Sequence, residues 1–575
     1  MNIALGQMAV LSTDLQQNYN RAVELVISAK QKGADIIVLP QLVISGVYAG
    51  DNWLDKGFID DCLYWGDKLA EKAQGISIIF GNIAYDGKLE NACYLAQDGL
   101  LKRLPAFVAA SNFPDGDRFF AGHDLCDGQI MTIALNGRSY RAAFLMGDWQ
   151  AKELPSPIDD AEIIFNLAQI PLILGHKFDY SAIAKKYGCP YVFANSCTLV
   201  GSGKAFWLCP GGSSIYDANG HKILSAPLFT DGVYMGNEIT KPLAADECIY
   251  KACVFGVKNF MSSIGVSKAV IGLSGGIDSA LAACIYIDAL GGENVLLINM
   301  PSRYNSDITQ SLSHQLANAL KAHYAVIPIE QSWQATINQF EDTIITAPDQ
   351  KEWKISITPA VAENIQARDR SARILAAAAA AWNAVFTCNS NKAELTVGYA
   401  TFYGDLAGAF AATADLWKHE VYQAAAFAQK VFPAAASYLQ SIASIRPSAE
   451  LSLNQAVEEG KGDPLLYPYH DYLLRSWVEE KATPADILSL YINGVLEENI
   501  GCQKNLLKKY FPDSEQFIAD LEYWWKMYRR TGTAKRIQSP PLLALSAHPF
   551  GEAKGEVQAV PYFSRHYLEL KEQLK

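Results

Sequence analysis

The feature that most constrains how this chain can fold is a glycine-rich turn between a strand-like and a helix-like segment. The turn reads GLSGGIDSA, residues 272–280; KAVIGL precedes it, and SALAACIYIDALGG and then NVLLINMP follow it. An apolar strand, a helix and a second apolar strand in this order are typical of a βαβ unit. A doubly wound parallel sheet is therefore expected in the second half of the chain.

The composition of the turn predicts a phosphate site. Glycines let the backbone approach a ligand closely, and the free N–H groups at the start of the following helix favour anions. No GxxxxGK[ST] string occurs in the sequence, which excludes the P-loop of kinases and GTPases. Serine, two glycines, aspartate and serine instead predict a pyrophosphate-binding loop in which Asp278 can bind magnesium. A strand-to-helix turn without a functional role is the alternative.

Length, charge and cysteine usage limit the class of protein. A chain of 575 residues is too long for one core, so two large domains are expected. The net charge of −12 argues against a nucleic-acid partner, because phosphate binding needs a basic face. Eleven cysteines lie without CxxC spacing and the first residues lack a basic leader, which predicts reduced thiols in a cytoplasmic protein.

No segment predicts a membrane span. The longest apolar run, ILAAAAAAWNAVF at residues 374–386, is shorter than the roughly 20 apolar residues that a span requires. A buried helix is expected there instead. His419 and His470 lie in polar helical stretches and are expected at the surface.

The first half of the chain has a different pattern. Residues 18–33 have helical apolar spacing, ADIIVLP indicates a buried strand, and GISIIFGNIAYDGKLENACYLAQDGLLKRLP indicates strands joined at the YDGK and QDG turns. This alternation predicts an α/β sandwich with hairpins. The polar stretch at residues 236–250 is interpreted as the boundary, which gives domains at 1–240 and 241–575.

The glycine-rich turn resembles the loop of the ATP pyrophosphatases, which cleave ATP between the α and β phosphates to adenylate a substrate. Four downstream segments resemble the successive signatures of NAD synthetases: MPSRYNS (300–306), ENIQARDR (363–370), TCNSNKAELTVGYATFYGDLAG (387–408) and PSAELSLNQ (447–455). The second of these is expected to open a long helix. The later AKRIQSPP and HPFG resemble the tail of the long, glutamine-dependent form. Segments 388–393 and 456–464 depart from the usual family pattern.

This resemblance implies an ATP-dependent amidation of nicotinic acid adenine dinucleotide (deamido-NAD) to NAD through an adenylated intermediate. The implied ATP-binding residues are Gly272, Ser274, Gly275, Gly276, Asp278, Ser279 and Thr387. The implied deamido-NAD-binding residues are Asn364, Arg368, Glu394, Tyr399, Asp405 and Lys535. Lys418 would bind phosphate, and Asp278 with Glu394 would bind Mg²⁺. A homo-oligomer is also implied.

The first 240 residues resemble the nitrilase (carbon–nitrogen hydrolase) superfamily in VLPQLVISGVY, KRLPAF, FPDGDRFF and NSCTLVGSGKAFW. In glutamine-dependent synthetases this domain supplies ammonia, with a cysteine thiolate, a glutamate base and a lysine. Here Gln41 replaces the glutamate and Met146 replaces the cysteine, while Lys102 lies near the expected lysine. An amide cannot act as a general base and a thioether has no proton to lose. The resemblance therefore implies a lost glutaminase and the use of free ammonia.

Several alternatives stay open at this point. Cys126 or Cys197 could be an unrecognised nucleophile, which would keep the enzyme glutamine-dependent. Another adenylating enzyme with the same loop, a non-catalytic regulatory protein and an amidase for a different amide are the remaining hypotheses. The first domain, if inactive, could stabilise the protein, bind an effector or dock an ammonia donor.

Overall fold

The computed structural model describes residues 1–109, 114–120, 129–135, 137–149, 154, 158–552, 557 and 559–574. Contacts divide the chain into two compact units. The first unit comprises Met1–Ser202 and Phe206–Leu243, and the second comprises Gly203–Ala205 and Ala244–Lys575. No helix among the described residues is long and apolar enough to cross a bilayer.

The first unit is built mainly of strands. Its strands are β1 (Ile3–Gln7), β2 (Ile36–Val38), β3 (Ser77–Tyr85), β4 (Leu89–Gln97), β5 (Leu100–Leu104), β6 (Phe107–Val108), β7 (Met131–Leu135), β8 (Arg138–Met146), β9 (Ile163–Ala168), β10 (Tyr191–Asn195), β11 (Cys197–Ser202), β12 (Ala205–Pro210), β13 (Ser214–Tyr216), β14 (Lys222–Ser225) and β15 (Gly232–Met235). Its α-helices are α1 (Leu15–Gln31), α2 (Lys56–Ala70), α3 (Pro114–Phe119) and α4 (Ser181–Tyr187).

Two mixed sheets form the first unit. One has the strand order β15-β1-β2-β3-β4-β5, and the other has the order β14-β13-β10-β9-β8-β6 with β7 paired to β8. Apolar side chains of both sheets meet in one core, where Leu5, Val38 and Ile79 of the first sheet join Phe144 and Phe165 of the second. The strands therefore alternate between a core face and an outer face, as in a sandwich. The expected α/β sandwich with hairpins is confirmed.

The second unit is mainly helical around a small sheet. Its strands are β16 (Ala269–Gly272), β17 (Val295–Asn299), β18 (His323–Val326), β19 (Ile344–Thr346), β20 (Glu352–Lys354), β21 (Val385–Phe386) and β22 (Leu542–Ala544). Its α-helices are α5 (Ala245–Ser263), α6 (Ile277–Leu290), α7 (Asp307–Ala319), α8 (Glu330–Asp342), α9 (Pro359–Arg368), α10 (Ala376–Ala381), α11 (Lys392–Val397), α12 (Lys418–Val431), α13 (Ala436–Ser444), α14 (Tyr467–Val478), α15 (Pro484–Ile492), α16 (Leu496–Ile500), α17 (Leu506–Tyr510), α18 (Ser514–Met527), α19 (Thr533–Gln538) and α20 (Arg565–Gln573).

The sheet of the second unit has the order β18-β17-β16-β21, and all neighbouring pairs are parallel. The chain moves outward from β16 through β17 to β18 and then returns to the other side of β16 at β21. Such a reversal creates a crevice at the carboxyl ends of the strands, where ligands bind in open α/β sheets. The doubly wound parallel sheet predicted from the βαβ pattern is confirmed.

The apolar run at 374–386 does not form the buried helix that was expected. Residues 369–375 form a π-helical turn, α10 covers only residues 376–381, and of α10 only Ala379 is buried. Alanine adds little apolar area, so the helix can leave most of its surface in water. The segment 363–370 also does not open a helix, because α9 begins at Pro359, where Thr358 accepts a hydrogen bond from the Val361 N–H at 3.4 Å.

The expectation that His470 lies at the surface is wrong. Its ring is fully buried in α14 and lies 2.9 Å from Asp520 Oδ2, while its Nδ1 accepts a hydrogen bond from the Leu466 N–H at 2.8 Å. His419 is partly buried beside Asp471, at 3.0 Å. Aspartate partners compensate for the burial of these rings, and such long-range pairs leave no pattern in the local sequence.

A buried ionic cluster fastens the carboxyl-terminal part of the second unit. The Lys392 ammonium is fully buried and contacts Asp415 Oδ1 at 2.9 Å, Glu479 Oε1 at 3.0 Å and Ser546 Oγ at 2.6 Å. Asp415 also accepts hydrogen bonds from the backbone N–H groups of Leu545 and Ser546 at 2.7 Å. One buried cation thus compensates two carboxylates that hold distant segments together.

Replacing Lys392 by methionine is expected to destabilise the second unit by about 3–5 kcal/mol, because the fully buried Asp415 carboxylate loses its counter-ion. Chemical denaturation followed by circular dichroism measures this change. The matched control is Lys251→Met, which removes an exposed i,i+4 pair with Glu247 and should cost less than about 1 kcal/mol. Equal effects of the two substitutions would contradict the role assigned to the cluster.

Candidate active site

The glycine-rich turn forms a compact loop between β16 and α6. Gly275 has a φ of +90°, and a Cβ atom there would lie 2.4 Å from the Thr309 carbonyl oxygen, so only glycine fits. Ser274 Oγ accepts a hydrogen bond from the Gly276 N–H at 3.2 Å. Ser279 Oγ accepts one from the Ser274 N–H at 3.2 Å and donates one to the Gly276 carbonyl at 2.9 Å. The two serines therefore fix the shape of the loop.

The start of α6 is available to an anion. Its N-cap residue, Gly276, provides no side-chain capping bond. The first N–H groups of a 14-residue helix consequently point into the loop together with the positive end of the helix dipole. This arrangement matches the phosphate site predicted from the sequence.

A carboxylate pair lies beside the loop. Asp278, in the first turn of α6, accepts a hydrogen bond from the Lys418 ammonium at 2.5 Å. Asn391 Nδ2 donates to Asp278 Oδ1 at 3.1 Å and to Glu394 Oε1 at 2.8 Å, so one amide bridges the two acids. Asn391 and Glu394 also form the capping box of α11, which orients both side chains.

Burial and the neighbouring charges shift the pKa values of Glu394 and Lys418. Burial, and then the neighbouring Asp278 carboxylate, raise the pKa of Glu394 to about 8. Burial by itself would lower the pKa of Lys418, but the Asp278 and Glu394 carboxylates outweigh it and raise that pKa above its usual value. At neutral pH Glu394 is therefore mostly protonated, and the Lys418 ammonium pairs with the Asp278 carboxylate.

A cavity of about 270 Å³ opens over these groups at the carboxyl ends of β16, β17 and β21. Seven of the sequence-predicted residues line it: Gly272, Ser274, Asp278, Ser279, Thr387, Glu394 and Asp405. Thr387 Oγ1 donates to Asn389 Oδ1 at 2.8 Å, and burial raises the pKa of Asp405. The structure thus brings five of the seven predicted ATP residues and both predicted metal residues together in one cavity, whereas Gly275, Gly276 and Lys418 are not among its lining residues.

Four of the predicted deamido-NAD residues do not line this cavity but lie around residues 398–404. Asn364 Oδ1 accepts from Thr401 Oγ1 at 2.7 Å, and Arg368 Nε donates to the Phe402 carbonyl at 3.0 Å. Lys535 Nζ donates to the carbonyls of Gly398 at 2.8 Å and Ala400 at 2.5 Å, and burial lowers its pKa.

Tyr399 belongs to this second group as well. Its hydroxyl donates to Asp463 Oδ1 at 3.2 Å and accepts from Gln455 Nε2 at 2.9 Å. Asp405 links the two groups, because it lines the cavity and accepts a hydrogen bond from the Thr401 N–H at 2.7 Å.

Sequence reasoning missed several residues in the cavity or beside its carboxylate pair. Asn391 could have been found from its N-x-x-E spacing to Glu394, which is typical of a capping box. Arg370 and Asn305 also line the cavity. Arg370 lies two residues after Arg368, but the π-helical turn that begins at Asp369 alters its direction, and the sequence gives no signal for such a turn.

In the first unit, the positions expected for amidase catalysis have unequal exposure. Met146 ends β8 and is fully buried in the sandwich core. Lys102 is exposed on β5, and Gln41 follows β2, where the Gly81 backbone packs closely against its Cα atom. Cys197 is buried, and this burial raises the pKa of its thiol far above the usual value. Cys126 lies outside the described residues.

Family models match both parts of the sequence. A carbon–nitrogen hydrolase model matches residues 2–97, and an NAD synthase model matches residues 249–508. The glutamine-dependent NAD(+) synthetase of Synechocystis sp. is 29% identical over 542 residues, which cover 85% of this chain and 90% of that protein. The protein of the same name from Xanthomonas campestris pv. campestris is 28% identical over 514 residues, covering 85% and 89%.

Solved structures share the fold along the whole chain. A glutamine-dependent NAD(+) synthetase from Cytophaga hutchinsonii has a TM-score of 0.75 at 17% identity and covers 100% of this chain and 99% of its own. The enzyme from Acinetobacter baumannii in complex with ADP has a TM-score of 0.67 at 21% identity, covering 97% and 98%. These likenesses confirm the fold expected for both units.

Gly275→Ala is expected to deform the loop and weaken nucleotide binding, because its Cβ would overlap the Thr309 carbonyl oxygen. The control is Gly265→Ala, where φ is +67° but the space around the Cβ is open. Both variants should show the strain of a left-handed alanine, about 1–2 kcal/mol by chemical denaturation. Only Gly275→Ala should add a further loss of stability and of ADP affinity by calorimetry; identical behaviour would refute the close packing.

Proposed function

We propose that the chain is a two-domain member of the NAD synthetase family and that it amidates deamido-NAD to NAD with ATP and free ammonia. The observation that carries this proposal is the cavity in which the β16–α6 loop and the Asp278–Glu394 pair meet. A phosphate loop beside two carboxylates is suited to nucleotide chemistry that releases pyrophosphate.

The proposed reaction has two steps. The nicotinate carboxylate oxygen attacks the α-phosphorus of ATP, an O–P bond forms, and the bond to pyrophosphate breaks. Ammonia then attacks the acyl carbon, a C–N bond forms, the C–O bond to AMP breaks, and a proton passes to solvent. No covalent enzyme intermediate is required, so catalysis depends on positioning and on charge stabilisation.

Each group of residues has a proposed task in these steps. The loop residues Ser274–Ser279 and the start of α6 bind the ATP phosphates, and Lys418 stabilises the negative charge that develops on pyrophosphate. Thr387 and Gly272 border the nucleotide. We propose the segment 398–405 as the side of the site that receives deamido-NAD. Hydrogen bonds with Asn364, Arg368 and Lys535 hold this segment, and its own Tyr399 bonds to Asp463.

The chemistry of the carboxylate pair fits a magnesium ion. Asp278 and Glu394 share one bridging amide, and burial, with the neighbouring Asp278 carboxylate, raises the pKa of Glu394 to about 8. Mg²⁺ is commonly held in proteins by one or two carboxylates together with substrate phosphates. We propose that these two residues hold the ion, which would neutralise phosphate charge when bound.

We propose free ammonia as the donor because the positions expected for the glutamate base and the cysteine nucleophile carry Gln41 and Met146. Gln41 has no basic carboxylate, Met146 has no thiol, and its side chain fills the sandwich core. Cys197 cannot readily replace the nucleophile, since its burial keeps the thiol protonated. The relatives are named for glutamine dependence; we propose that this chain differs from them in its nitrogen source.

A comparison of nitrogen donors tests the proposal. With deamido-NAD and ATP, ammonium chloride should support turnover, and the rate should rise with pH as more unprotonated ammonia becomes available. Glutamine in ammonia-free buffer should support at least about 100-fold less turnover, because losing a catalytic nucleophile commonly costs more than that. Glutamine turnover that Cys197→Ser abolishes would instead identify Cys197 as the nucleophile. Absence of NAD with either donor would reject the synthetase assignment.

The proposed magnesium site predicts a pH effect on stability. The native pKa of Glu394, about 8, lies above its ordinary 4.5, so the native state favours the protonated acid. The resulting stabilisation is present below pH 4.5 and is lost as pH rises through about 8. Glu394→Gln should flatten this dependence in urea denaturation without magnesium.

Added MgCl₂ should stabilise the wild-type protein at pH 8 and have a much smaller effect on the Glu394→Gln variant, because the ion favours the ionised pair. Glu247→Gln, which alters an exposed glutamate on α5, should behave like the wild type. An unchanged pH dependence in Glu394→Gln, or equal magnesium responses in the variant and the wild type, would contradict the proposed site.

A further inference from the structure

A second cationic group faces the cavity without an ionic partner. The Arg370 guanidinium lines the cavity and donates to two neutral acceptors, the Met300 carbonyl at 3.0 Å and Asn305 Oδ1 at 3.3 Å. No carboxylate in the described part of the chain forms an ion pair with it. Burial is the largest influence on this group and lowers its pKa to about 10. A guanidinium in this position needs further hydrogen-bond acceptors.

The three carboxylates whose charge acts on Arg370 are Asp369, Glu450 and Asp405. Asp369 is already engaged, because Arg373 Nε pairs with its Oδ1 at 2.5 Å. Asp405 accepts its hydrogen bond from the backbone N–H of Thr401 and forms no ion pair with Arg370 among the described residues. Neither carboxylate therefore neutralises the guanidinium by direct contact.

Glu450 is separated from Arg370 by an amide. Asn305 accepts from Arg370 through Oδ1 and donates to Glu450 Oε2 through Nδ2 at 3.3 Å. Glu450 is buried and accepts two further hydrogen bonds, from Thr309 Oγ1 at 2.8 Å and the Ser306 N–H at 3.2 Å. Its negative charge thus offsets the burial of Arg370 at a distance and leaves the guanidinium available.

The backbone places Arg370 at the edge of the sheet that carries the phosphate loop. Met300, which accepts its Nε–H bond, directly follows β17, and β17 pairs with β16, from which the loop emerges. The π-helical turn 369–375 brings Arg370 and Ser371 to the cavity, whereas Arg368 is exposed. Wide turns of this kind are frequently found at functional sites.

We propose that Arg370, which lines the cavity, binds phosphate oxygens of a nucleotide substrate. The planar guanidinium has five N–H donors, and the unused ones suit the paired oxygens of a phosphate. The inference rests on the proposed function for the identity of the nucleotides. The phosphate belongs either to ATP or to the diphosphate of deamido-NAD, and separate titrations distinguish these sources.

The test is isothermal titration of the full-length protein with ADP, adenosine and deamido-NAD. Arg370→Met should weaken binding of the phosphate ligand that it contacts by roughly 10- to 100-fold, the range for hydrogen bonds to charged groups. Arg370→Lys should lose less affinity, because it keeps the charge but not the paired donors. Adenosine affinity should not change. Arg373→Met is the control, since that side chain pairs with Asp369 on the same turn.

The outcomes separate this inference from the proposed function. Weaker binding of ADP alone assigns the phosphate to ATP, and weaker binding of deamido-NAD alone assigns it to the dinucleotide; either result supports the role of Arg370. Unchanged affinities for both phosphate ligands in Arg370→Lys and Arg370→Met, or an equal loss for adenosine, would overturn it. A wild-type protein that binds none of the three ligands would overturn the proposed function as well.

Discussion

The candidate active site depends on one ammonium group, that of Lys418, which offsets the electrostatic repulsion between the neighbouring Asp278 and Glu394 side chains. Lys418 starts α12 and contacts Asp278 in the first turn of α6, so this ion pair joins the helix behind the phosphate loop to a second helix. Glu394 lies against the same pair and stays partly protonated as a result. Asn391, which bridges both acids, sets their spacing.

Two buried cations in the second unit have different surroundings. Lys392 contacts two carboxylates, and these ion pairs stabilise the fold. Arg370 has only neutral contacts, with Glu450 placed one amide away. Because a direct ion pair would satisfy the guanidinium, the intervening Asn305 is what keeps it accessible to a ligand. In the first unit, the Met146 side chain occupies core volume at the position where a nucleophile was expected.

The sequence allowed the parallel sheet, the tight glycine turn between β16 and α6 and the sandwich to be predicted, because these depend on local patterns. Alternating apolar runs set the strands, and Gly275 marks the close approach of the Thr309 carbonyl. The burial of His470 was not predictable, because its partner Asp520 lies fifty residues away. The exposed face of α10 and the π-helical turn before it were missed for a similar reason: alanine-rich sequence suits several helical geometries, and tertiary contacts choose between them.

The attachment of residues 545–546 to Asp415 bears on how the protein is made. During synthesis on the ribosome, Lys392, Asp415 and Glu479 emerge well before Leu545 and Ser546, which supply three of the hydrogen bonds that Asp415 accepts. The nascent second unit therefore holds an incompletely bonded carboxylate until translation is nearly finished. Premature termination just upstream of residue 545 would release a chain with its ionic centre open to water.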